Sequence, residues 1–156
     1  MKAKARPHTN LLAAAVLTDA GLYLKAARAL ENEQAIWSPR YFLLCHAIEL
    51  ILKSYLASHG ATQKELKDLG HNLLKTYARA RKQGLIPSDA RTAEVVRWLS
   101  PFHKDLVFRY RKSSAGFVQL PDPNALADVV SSLNDQVDPI VRGRFRRRQT
   151  QVSAKL

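Results

Sequence analysis

Apolar positions along this chain recur every three or four residues, and no stretch shows the two-residue alternation of a half-buried strand. The pattern predicts an all-α fold. A first helix is expected from about Asn10 to Leu30, capped by Thr9 or Asn10, with Leu12, Val16, Tyr23 and Leu30 on one stripe that also carries Asp19. A second opens at Ser38-Pro39, where a proline in the first turn loses no hydrogen bond, and stops near Gly60. Apolar residues surround almost its whole circumference, which marks it as the central helix. Thr62 to Glu65 reads as a capping box for a short helix ending at Gly70. A further helix is expected from His71 or Asn72 to Gln83, with Gly84 as its stop. Another starts at Ser88-Asp89 and breaks at Ser100-Pro101, followed by a turn from Phe102 to Tyr110 and a loop over 113–120. The last carries Leu126, Val129, Val130, Leu133, Val137 and Ile140, with a kink or end expected near Asp135 to Asp138 because of Pro139. Four to five helices with short connections argue for an antiparallel up-and-down bundle.

Composition places this bundle in one domain. At 156 residues the chain suits a single core, and 46% hydrophobic content is enough to fill it. The lone cysteine, Cys45, excludes an internal disulfide and reads as a small buried hydrophobe; Trp37 and Trp98 read as core. The basic start, Met1 to Pro7, is not followed by a clean secretory hydrophobic region, and no uncharged segment is long enough to span a bilayer. The expectation is a cytoplasmic protein without a membrane partner.

Charge changes the picture more than composition does. The formal net charge is +12, and all 13 acidic residues lie at or before Asp138. Beyond Val141 the chain carries Arg142, Arg144, Arg146, Arg147, Arg148 and Lys155 with no acid, so 142–156 reads as a flexible basic tail on a 1–141 helical domain. Such a run attracts polyanions by counterion release. Lys75, Arg79, Arg81 and Lys82 form a second basic group.

Candidate chemistry concentrates on the second helix. His46, Glu49 and Lys53 follow one another at one-turn spacing and share a face of an otherwise apolar rod. Charges held there cost several kcal/mol unless paired, so partners are needed, and Asp19 is a candidate for Lys53. The histidines, His8, His46, His59, His71 and His103, include no i, i+4 pair, which argues against a metal site and leaves no cofactor implied. No phosphate-cradling glycine loop or nucleophile turn is present.

Phe42 to Lys53 contains His-Ala-Ile-Glu-Leu-Ile-Leu-Lys, Gly70 to Leu74 reads Gly-His-Asn-Leu-Leu, and Phe108-Arg109-Tyr110 follows. In order and type these resemble elements of the HEPN family. The resemblance implies a helical bundle, commonly homodimeric, in a family that includes metal-independent ribonucleases and non-catalytic modules binding RNA, nucleotides or proteins. In the ribonucleases an Arg holds the scissile phosphate and a His, after four to six intervening residues, acts as acid/base. By spacing, Arg97 with His103 and Arg40 with His46 are the candidates, but no histidine follows His103, so the last helix lacks the pair. The reading is therefore a non-catalytic module, with a ribonuclease or a plain helical adaptor as alternatives. His46, Glu49, Lys53, His71, Arg109 and Tyr110 are expected to converge on one polar cleft, with Arg109 as a counter-ion of Glu49.

Overall fold

A computed structural model describes residues 7–33, 37–110 and 120–153. The described residues are all-helical: α1 (Pro7–Ala29), α2 (Trp37–Ser58), α3 (Gln63–Asp68), α4 (Leu73–Lys82), α5 (Thr92–Lys104) and α6 (Pro123–Ser153). The side chain of Trp37 and most of the expected 113–120 loop lie outside them.

The local signals that set the short helices act as the chain order suggests. Thr62 and Glu65 form the reciprocal capping box of α3, and Asn72 caps α4 through its side chain. Gly84 adopts the left-handed conformation (φ +98°) just past α4.

Four boundaries differ from expectation. α5, expected from Ser88-Asp89, begins only at Thr92, whose hydroxyl and N–H both donate to the Asp89 carbonyl in the preceding turn. α1 begins at Pro7, a residue suited to the first helical position, so Thr9 and Asn10 lie inside the helix and are buried rather than capping it. α5 continues through Pro101 to Lys104, because Asp105 N–H still reaches the Pro101 carbonyl and the turn is held by buried Ser100 and His103. α6 continues through Pro139 and does not end near Asp135 to Asp138. Only one backbone bond is lost, on an exposed side, while Val137 and Val141 stay packed in the core on either side of it. Residues 142–153 are consequently helix.

Hydrogen bonds between helices define their directions. Ser54 Oγ donates to Ala13 O, and Arg40 Nε to Ala27 O, so α1 and α2 run antiparallel. Arg40 also donates to Asn124 Oδ1, while Arg144 donates to Ser58 O, so α6 runs alongside α2 in the same direction. The short α3 carries the chain back from the end of α2 to the level of Glu49, so α4 runs beside α2 in the same direction and α5 returns antiparallel. α2 lies at the centre, with Leu44, Ile48, Ile51, Leu52 and Leu56 fully buried. By length and composition alone, Ser38–Ser58 is apolar enough to cross a membrane (mean hydropathy 1.2), although it carries Arg40, Glu49 and Lys53; 72% of that window is buried inside the bundle.

The face α1 turns inward is Ala13, Leu17, Ala20, Leu24 and Ala27, one position round from the expected stripe. Alanines let α1 approach α2 closely. Asp19 falls on the exposed side and does not pair with Lys53.

Because α2 is the shared core, Leu52→Ala should cost about 3 kcal/mol, whereas exposed Ile86→Ala should stay within about 0.5 kcal/mol. Urea denaturation distinguishes the two, and equal costs would contradict this packing.

Candidate functional site: a buried carboxylate ringed by imidazoles

Glu49 sits halfway along α2 and is only 3% exposed. A carboxylate there must be ionised and matched, or neutral. It is matched. Lys53, one turn on, donates its Nζ to Oε1 at 2.5 Å and to the Gly70 carbonyl at 2.8 Å. Gly70 has φ +56°, a left-handed turn that favours glycine and brings that carbonyl over α2.

The other oxygen, Oε2, receives the imidazoles. His103 Nε2 lies at 2.6 Å, His71 Nδ1 at 2.9 Å and His46 Nδ1 at 3.9 Å. A carboxylate oxygen only accepts, so the first two contacts place a proton on His103 Nε2 and on His71 Nδ1. His71 begins the approach to α4, and His103 sits in the last turn of α5. That turn closes on Leu106, a left-handed residue (φ 56°), with Val107 N–H reaching back to the Phe102 carbonyl. The His71 and His103 rings meet edge to face at 5.5 Å. His46 is wedged between Tyr23 (4.5 Å, edge-on) and Phe42 (5.7 Å, stacked). Exposure falls from His71 (43% of its side chain) through His46 (22%) to His103 (2%), so the cluster opens to solvent on the His71 side.

Burial alone would raise the Glu49 carboxyl. Hydrogen bonds from His103, Lys53 and His71 outweigh it and hold the group at about 2. Burial also depresses His46, against the pull of the nearby Glu49 charge. Burial pushes the Cys45 thiol up, so it is an inert core group.

The structure thus unites His46, Glu49, Lys53 and His71, four of the six residues expected in one cleft. It does not bring in Arg109 and Tyr110. Both are exposed; the Arg109 guanidinium lies 5.7 Å from the Tyr110 ring centroid, and the hydrogen bonds to Glu49 come from Lys53, His71 and His103. Their neighbour Phe108 is the anchor instead, stacked on Tyr41 and Phe102 and accepting a hydrogen bond from Ser38. The member the sequence did not place in the cleft is His103, which carries no local signal because its partner lies 54 residues away.

Neither Arg/His pair forms a site within the chain. Six residues apart on a helix, the two side chains point roughly 120° from each other. Arg97 is exposed and His103 is buried on Glu49. Arg40 is buried between the Ala27 carbonyl and Asn124, a tie between α1, α2 and α6.

A second polar region lies at the far end of α2. Arg144 donates to the Ser58 carbonyl at 3.0 Å and to His59 Nε2 at 2.8 Å, while His59 Nδ1 faces the Tyr55 carbonyl at 2.8 Å. Tyr55 in turn donates to the Gln83 carbonyl at the end of α4. The basic ends of α4 and α6 therefore share one end of the bundle. Arg142 is paired with Asp138, but Arg146, Arg147 and Arg148 have no acidic partner among the described residues.

In comparisons with protein-family models, curated proteins and solved structures, none matches this chain.

The Glu49 carboxyl titrates lower in the folded chain than unfolded, so its contribution is full above about pH 4.5 and is lost as pH falls toward about 2. The stability gap between wild type and Glu49→Gln, measured by urea unfolding with chelator present, should shrink by about 3 kcal/mol across that window. A gap independent of pH would contradict the network.

Proposed function

We propose that this chain is a HEPN-like helical module that binds RNA without cleaving it, through the basic end formed by α4 and the last turns of α6. The observation that carries this reading is the docking of α6: Arg144 ties the helix to the end of α2, so Arg146, Arg147 and Arg148 are presented from a helix rather than from a loose tail. Exposed Arg81 and Lys82 stand at the same end. No acidic residue follows Asp138, so nothing in the last turns competes with a phosphate for these guanidiniums. Arginine suits that task because its planar fork pairs with phosphate oxygens.

The resemblance of the α2, Gly70–Leu74 and Phe108–Tyr110 elements to the HEPN family supports the same reading, and so does the failure of either Arg/His pair to assemble a cleavage site in one chain. Self-association belongs to the proposal as well, supported by Leu11 and Leu22, which are both 60% exposed and lie on one side of α1.

Binding of a single-stranded RNA oligonucleotide, followed by fluorescence anisotropy, should weaken roughly 50-fold between about 50 and 200 mM salt if about four phosphates are engaged. Replacing Arg146, Arg147 and Arg148 together by Ala should flatten that slope and leave the fold intact. A salt-independent titration, or one unchanged by the triple substitution, would refute the basic-end reading. Light scattering after size exclusion should give twice the chain mass of 17.5 kDa; a monomer at all concentrations would remove self-association from it.

A further inference from the structure

Glu49 Oε2 is the meeting point of three imidazole nitrogens from three different segments, and hydrogen bonding accounts for only two of them. His46 Nδ1 stands 3.9 Å from that oxygen and has no hydrogen bond among the described residues. Its ring is fixed by Tyr23 and Phe42, so the nitrogen is held toward the cluster by packing. One donor atom each from His46, Glu49 and His103 lies within 4.8 Å of the others, and His71 Nδ1 is 2.9 Å from the shared oxygen.

That spacing suits an ion. A tetrahedral centre with metal–nitrogen and metal–oxygen bonds near 2.0–2.1 Å needs donors about 3.3 Å apart. The Oε2 contacts, at 2.6, 2.9 and 3.9 Å, bracket this distance, so small side-chain adjustments would suffice. Lys53 and the Gly70 carbonyl complete the arrangement from outside. By holding Oε1, Lys53 leaves Oε2 as a single, oriented donor.

We propose that His46, Glu49 and His103, with His71 as a fourth donor on the solvent side, bind one divalent first-row transition ion of the zinc or cobalt type. Three imidazoles and one carboxylate favour such ions over magnesium or calcium, which take mainly oxygen ligands. The half-exposed His71 marks the entry path. On binding, the protons now on His71 Nδ1 and His103 Nε2 move to the other ring nitrogen or leave to solvent, freeing both lone pairs. The sequence hid this site because its donors come from α2, the turn before α4 and the end of α5, with no two histidines at i, i+4. The proposal is independent of RNA binding at the basic end.

The test is titration of tag-free, full-length, chelator-treated protein with Co²⁺, followed by its visible d–d absorption and reversed with Zn²⁺. Saturation at one ion per chain is expected, with affinity falling at least roughly tenfold in His46→Ala. His46 gives up no hydrogen bond in this substitution, so the variant should keep its helical circular dichroism. His59→Ala, at the other end of α2, should bind as wild type. Absence of saturable Co²⁺ binding, or binding undiminished in His46→Ala, would overturn the proposal.

Discussion

A carboxylate removed from water in the middle of an apolar helix constrains everything packed around it. Left unpaired, the Glu49 charge would cost several kcal/mol, a large part of the net stability of a domain this size. The cost is met by groups from three places: Lys53 on the same helix, His71 before α4 and His103 at the end of α5. Each contact fixes the position of the element that supplies it. The left-handed turn at Gly70 and the left-handed helix end at Leu106 lie beside these contacts, because the chain must reverse where its polar groups reach Glu49.

Much of the fold was legible in the sequence, for identifiable reasons. Helix α2 is apolar all round, and the caps at Thr62 and Asn72 and the stop at Gly84 rest on local chemistry that needs no tertiary context. The register of α1 was not legible. Large residues draw the eye to Leu12, Val16 and Tyr23, whereas close packing on α2 selects the alanine face at Ala13, Ala20 and Ala27. The two interior prolines also misled, because packing on both sides outweighs one missing backbone bond. At the site, His46, Glu49 and Lys53 follow from helical spacing alone. His71 joins them as expected of the cleft, from the Gly-His-Asn-Leu element just before α4. His103 looked like half of an Arg-and-His pair, and Arg109 looked like a counter-ion; only three-dimensional packing separates those roles.

Helix α2 thus carries two polar regions separated by ten residues, about 15 Å of helix. Around Glu49 the charges are internally matched and mostly withdrawn from water. Around His59 they are unbalanced and exposed, since Arg144 spends its hydrogen bonds anchoring α6 while the arginines beyond it have no acidic partner among the described residues. The first region ties α2, α4 and α5 together and is where the cation is proposed to bind; the second is the proposed polyanion surface. One buried helix serves as the mount for both.

The coupling between Glu49 and His103 holds α2 to the end of α5, and a double-mutant cycle measures it. Glu49→Gln, His103→Gln and the double variant, compared by urea unfolding at neutral pH with chelator present, should show an interaction energy above about 1 kcal/mol. Additivity within about 0.5 kcal/mol would mean that the two groups do not depend on each other, and the central role given to this carboxylate would be wrong.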